Sequence, residues 1–114
     1  MKSFVALLRK HRIALVVSDS AKNWPYCEDV TADFVYLRLH GSQRLYSSAY
    51  TDPELRRWAQ RIRCWNAGTQ PSDAHCISAK APPSRRSREV FCYFDNDAKV
   101  HAPADAQRLV EALK

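Results

Sequence analysis

Phe34-Val35-Tyr36-Leu37-Arg38-Leu39-His40-Gly41 is the stretch on which the fold turns. Its residues alternate. Val35, Leu37 and Leu39 share one face and suit packing under helices, while Tyr36, Arg38 and His40 share the other, as the two-residue period of a strand requires. Further along, Thr51 and Glu54 stand at capping-box spacing with Pro53 in the first turn. Leu55, Trp58, Ile62 and Trp65 then recur on one helical stripe, and Gly68 supplies the stop. A strand followed by an amphipathic helix is a β/α unit, and Trp58 and Trp65 are expected in its core.

Working outward, Phe4, Leu7, Leu8 and His11 predict an amphipathic helix over about residues 2–11. Ile13 to Val17 is a continuous apolar run, expected as a strand covered on both faces. Residues 18–32 are polar, contain Trp24-Pro25, and read as a loop. Residues 69–88 carry Pro71, Pro82, Pro83, several serines and Arg85, Arg86 and Arg88. They are expected to form a flexible polar insertion, too polar to pack. Val90 to Phe94 is the third strand, with Val90, Cys92 and Phe94 toward the helices and Phe91, Tyr93 and Asp95 on the other face. The final helix is expected from near Pro103, with Asp105 in its first turn and Ala106, Leu109, Val110 and Leu113 toward the core. Strands alternating with helices predict an α/β fold with a parallel sheet. Three strands under one helical layer leave both sheet edges open and one face bare, so the chain reads as part of something larger.

Composition narrows the class. The 114 residues carry 18 Lys+Arg against 12 Asp+Glu, a formal net charge of +6, and 46% apolar residues. That is enough for one domain with a core and excludes disordered and collagen-like chains. No apolar run approaches the roughly 20 residues that span a bilayer, and Arg9-Lys10-His11-Arg12 cuts short the signal-like opening, so no membrane association and a cytoplasmic location are expected. Cys27, Cys64, Cys76 and Cys92 show no metal-ligand spacing and are expected as reduced thiols, Cys92 as a small core residue. Arginine suits phosphate, yet Arg56, Arg57, Arg61 and Arg63 share one helix and read first as a solvated face. With only Gly41 and Gly68, a glycine-rich phosphate loop is excluded. No serine sits in a nucleophile-elbow context.

Three segments carry a resemblance: Thr31 to Gly41, Tyr50 to Ala59, and Tyr93 to Lys99 with Ala102-Pro103 and the last helix. Ser18-Asp19-Ser20 and Trp24-Pro25 agree with it. Over about four-fifths of its length the chain resembles the carboxy-terminal part of the YecE-like family, domain of unknown function 72. The resemblance implies a TIM-type barrel of about twice this length. It further implies that residues 1–114 are a single incomplete β/α-barrel domain carrying three of the eight strands. The chain departs from the family in lacking the amino-terminal half of the barrel, in the length of residues 69–88, and in Val100, which stands where glycine is expected.

In such barrels the site lies at the carboxyl ends of the strands. The ligand-binding candidates there are Arg38, Asp19, Tyr36, Asn96 and Asp97, and the catalytic candidates are His40 and Asp95. Arg38 facing the lumen needs a carboxylate or a bound anion. Asp95 or Asp19 would make it an ion pair fixing strand register. Left to a ligand, it would clamp a phosphate-bearing molecule, nucleic acid among the candidates, with His40 transferring protons. His40 could equally be a hydrogen-bonded loop residue. Asp19, His40, Asp95, Asp97 and His101 are metal-type donors without compact spacing, and the aspartates serve equally as turn formers, so no metal is assigned. No cofactor is assigned either. Trp24, Tyr26, Tyr46 and Tyr50 would rim the mouth, either stacking on bases or sugars or plugging it. The alternative function is a non-catalytic portion that folds only with a partner, through self-association or a complementing barrel chain.

Overall fold

The computed structural model describes residues 2–20, 26–41, 49–96 and 101–114. The element order is α1 (Lys2–Lys10), β1 (Val16–Asp19), β2 (Phe34–Leu39), α2 (Asp52–Asn66), β3 (Glu89–Phe94) and α3 (His101–Leu113). The three strands form one parallel sheet in the order β1-β2-β3. This is the expected α/β architecture, an open sheet flanked by helices and consistent with a partial β/α barrel.

β2 shows why the sheet has two different faces. Val35, Leu37 and Leu39 are buried beneath α2 and α3, in a core with Leu55, Trp58, Ile62, Trp65 and Leu109. The register pairs Leu37 with Cys92 and Leu39 with Phe94, so β3 turns the same alternate positions toward the helices. On the opposite face Val16, Phe34, Phe91 and Tyr93 are exposed. Their contacts run diagonally across the pair of strands. Phe34 meets Phe91 edge-on with centroids 5.8 Å apart, and Tyr36 stacks on Tyr93 at 5.3 Å. Arg38 continues the same offset to Asp95.

α2 begins with the expected capping box. The Glu54 amide donates to Thr51 Oγ1 at 3.3 Å, and the Thr51 amide donates to Glu54 Oε1 at 2.8 Å. It ends in a Schellman turn at Gly68, where the amides of Gly68 and Thr69 donate to the carbonyls of Trp65 and Cys64. Gly68 has φ +81°, and a Cβ there would lie 1.9 Å from the Arg85 carbonyl oxygen. Glycine is therefore required both by the backbone and by the chain packed against it.

Four sequence expectations are corrected. β1 starts at Val16 rather than Ile13. The Thr31 hydroxyl accepts from the Leu15 amide and donates to the Ile13 carbonyl, which ties down that backbone outside the ladder. In α1 the buried residues are Val5 and Leu8, while Phe4 and Leu7 are exposed. Val110 in α3 is also exposed, and Ala102, Asp105 and Leu109 take the inner stripe. Arg61 is buried rather than solvated, with Nε 2.8 Å from Glu28 Oε2 and Nη1 2.9 Å from Asp73.

Residues 69–88 contain no helix or strand. They dock through polar contacts: the His75 amide donates to Glu28 Oε1, and the Ile77 and Ser78 amides donate to the two oxygens of Asp29. Two buried carboxylates thus anchor this segment through its backbone amides, alongside buried Pro71 and the His75 ring against Tyr26.

Candidate functional site at the carboxyl ends of the strands

The strand ends carry polar residues on both sides of the sheet, and alternation sorts them. Ladder bonds continue past the regular strands, from the His40 amide to the Asp19 carbonyl and from the Asp95 amide to the Leu39 carbonyl, both at 2.8 Å. Arg38, His40 and Asp95 therefore rise together from the open face. Arg38 Nε donates to Asp95 Oδ2 at 2.9 Å and its Nη2 reaches the same oxygen. His40 Nδ1 lies 3.3 Å from that oxygen. Tyr36 stands one step below on the same face, against Tyr93.

Asp19 and Asn96 belong to the other side. The Tyr50 hydroxyl donates to Asp19 Oδ2 at 2.9 Å and accepts from the Gly41 amide at 3.0 Å. Asn96 is fully buried and donates through Nδ2 to Asp105 Oδ2 at 2.8 Å. That carboxylate also accepts from the Tyr50 amide, and Arg108 binds its second oxygen. These residues lock the ends of β1 and β3 to the start of α2 and to α3. Asp97, Trp24 and Tyr46 lie outside the described residues. Tyr26 packs edge-on against Trp58, and Tyr50 against Phe94, so both rings plug the core at this end.

The electrostatics follow from burial. The His40 imidazole is held below its usual value chiefly by desolvation and also by Arg38, with Asp95 and Asp19 opposing. Desolvation raises the Asp19 carboxyl, against the lowering effect of the Tyr50 hydrogen bond. The Tyr50 phenol is pushed up by burial first and then by the Asp19 charge, so its hydroxyl stays protonated and keeps donating. A neutral imidazole beside a carboxylate has the order of a proton-transfer pair. His40 is only 4% exposed, however, so Arg38 and Asp95 are the groups a solute would meet first. Among the described residues no group of three or more His, Cys, Asp or Glu is arranged to hold a metal ion. No helix among them is long and apolar enough to cross a membrane.

Pattern reading missed Glu28, Asp29, the burial of Arg61 and that of Asp105, which it placed in the first turn of α3 although the helix starts at His101. A signal existed for two of them. Arg61 falls at helical spacing between Trp58, Ile62 and Trp65, and Asp105 lies four residues before Leu109 on the inner stripe of α3.

Comparison with known proteins places this geometry. A DUF72 family protein from Enterococcus faecalis superposes with a TM-score of 0.75 at 15% identity, covering 98% of this chain. Another from Thermotoga maritima superposes with a TM-score of 0.73 at 23% identity, covering 99%. At these identities the likeness is one of fold. The chain spans 41% of the length of each of these solved proteins. No curated protein matches it. The sequence profile described as "Protein of unknown function DUF72" matches residues 1–114, and the chain belongs to that family.

Proposed function

We propose that residues 1–114 are a non-catalytic barrel portion that reaches its stable form by pairing with another chain, which closes the open strand edges and covers the aromatic sheet face. The carrying observation is the diagonal aromatic ladder of exposed Phe34, Phe91 and Tyr93 with half-buried Tyr36, Phe91 being 42% and Tyr93 52% exposed. Together with Val16, the exposed rings leave about 300 Å² of side-chain surface in water, a gross hydrophobic gain of about 8 kcal/mol if fully covered, from which the costs of association are subtracted. Relatives more than twice as long are in keeping with such a cover. The test is the light-scattering mass of the purified chain together with a thermal melt. A broad melt or a multimer supports the reading. A monodisperse 13.1 kDa species with a sharp melt overturns it.

A second reading concerns the mouth. Arg38, His40 and Asp95 converge at the carboxyl ends of β2 and β3, where β/α barrels place their sites. They would hold a phosphate-bearing ligand, nucleic acid included, with Arg38 as clamp and His40 as the proton-transfer group. Tyr36 would flank the ligand from the same face, while Asp19 and Asn96, turned to the other side, would act only by holding the strand ends in place. Arg38→Ala should then weaken oligonucleotide binding far more than Arg57→Ala on the outer helix, and equal effects would sink this reading. Four free thiols suit a reducing compartment, and we place the protein in the cytoplasm.

A further inference from the structure

At the opposite, amino-terminal end of the sheet, a pocket of about 240 Å³ opens between the end of α1, the approach to β2 and the chain leading into β3. Arg9, Arg12, Arg85 and Arg88 line it, and Asp33 is the one acidic residue among the lining residues. Asp33 is already taken, 2.5 Å from Arg85 Nη2. The other three arginines bond only to neutral groups or to none that the described residues provide. Arg9 donates to the carbonyls of Val30 and Lys80. Arg88 donates to the carbonyls of Gly68 at 2.9 Å and Pro83 at 2.6 Å.

Arg88 is the telling residue. It is only 3% exposed, its Nε is buried without a hydrogen-bond partner, and it has no carboxylate within ion-pair distance among the described residues. A buried guanidinium surrounded by carbonyls and other arginines is costly unless an anion answers it. The local field agrees: burial first, and then Arg85, press on the charge of Arg88, and Arg9 adds to them, with Asp33 alone opposing. The frame is also built for the purpose. Gly68 leaves no room for a Cβ beneath the Arg85 carbonyl, which fixes the loop bearing Arg85 and Arg88. Arg12 holds a left-handed conformation, φ 55°, that few non-glycine residues adopt.

We propose that this pocket binds a phosphate dianion, either free or as the head of a small phosphomonoester, with Arg9, Arg12 and Arg88 as its ligands. The forked donors of arginine match phosphate oxygens. The volume lies below that of sites for drug-sized molecules, which limits the ligand to the phosphate group and a short substituent.

Calorimetric titration with inorganic phosphate at fixed ionic strength, on the purified protein in the assembly it forms, tests this directly. Saturable binding is expected, stronger where the dianion dominates, above about pH 7 for inorganic phosphate and above about pH 6 for a phosphomonoester, than at lower pH. Arg12→Ala, at an exposed position, should weaken it about tenfold or more, Asp33→Asn should tighten it, and Arg56→Ala should leave it unchanged. Arg88→Met should abolish it, but Arg12→Ala decides the matter if that variant fails to fold. Titration with glycerol phosphate separates the sources: equal affinity assigns the site to the phosphate group alone, and tighter binding assigns it to a monoester. No heat at millimolar phosphate, or equal weakening by Arg12→Ala and Arg56→Ala, overturns the proposal.

Discussion

Replacing Arg61 by methionine tests how the 69–88 segment is held to the helical layer. The Arg61 side chain is 2% exposed and that of Glu28 is 0% exposed, with Nε 2.8 Å from Oε2 and Nη2 3.2 Å from Oε1. Removing the cation leaves a fully buried carboxylate with the His75 amide still donating to it but no charge to balance it. Stripping one partner from such a pair costs about 3–5 kcal/mol, a large part of the 5–15 kcal/mol typical of a domain. Asp73 adds little to the loss, because its side chain is 73% exposed. The double variant Arg61→Met with Glu28→Gln removes both charges and keeps an oxygen for the His75 amide. It should recover about 2 kcal/mol or more relative to the sum of the single variants. Urea unfolding followed by circular dichroism, at one fixed protein concentration, reads all three, with Arg57→Ala as a surface control expected within about 0.5 kcal/mol of the parent. A loss below about 1 kcal/mol for Arg61→Met, or strict additivity in the double variant, would refute the reasoning.

Three further outcomes follow from the same geometry. His40 has a folded-state pKa below its usual 6.5, so its contribution to stability is complete above about pH 6.5 and is lost as pH falls through the lower folded value. The melting temperature should fall on acidification across that window, and more steeply than in His40→Asn; parallel profiles would contradict the assignment. Gly68→Ala meets both a left-handed backbone and a carbonyl in the place of its Cβ, and should destabilise by about 2–4 kcal/mol in urea unfolding. A variant within about 0.5 kcal/mol of the parent would show that the loop is not packed there. Tyr50→Phe leaves the Gly41 amide and Asp19 each short of a bond and should cost about 1–3 kcal/mol, a result that an unchanged unfolding midpoint would deny.

The parts of the fold legible in the sequence are those written in local chemistry. The alternation in Phe34 to Leu39 sets which face of β2 meets the helices, and Thr51, Glu54 and Gly68 mark both ends of α2. What stayed hidden depends on partners far away in the chain. The hydroxyl of Thr31 satisfies Ile13 and Leu15, which a run of apolar residues alone assigns to a strand. Arg61 reads as surface by residue type, and only Glu28, 33 residues earlier, makes its burial tolerable. At the mouth, alternation correctly grouped Arg38, His40 and Asp95, because all three lie on or next to regular strands. It could not show that Asp19 turns to Tyr50 or Asn96 to Asp105, since those partners come from a loop and from a helix.

Where the positive charge sits bears on both functional readings. A net charge of +6 invites an anionic partner, and a barrel invites that partner to the carboxyl ends of the strands. At that end Arg38 and Arg108 already have carboxylate partners: Arg38 pairs with Asp95, and Arg108 with Asp105 and Asp52. An incoming phosphate there would have to displace an existing carboxylate, at the loss of an established pair. At the amino-terminal end the carbonyl oxygens around Arg9 and Arg88 satisfy hydrogen bonds without cancelling charge, and Asp33 answers one arginine of four. An anion entering there gains attraction and breaks no ion pair. A ligand that binds this chain by charge should therefore respond to Arg12 before it responds to Arg38.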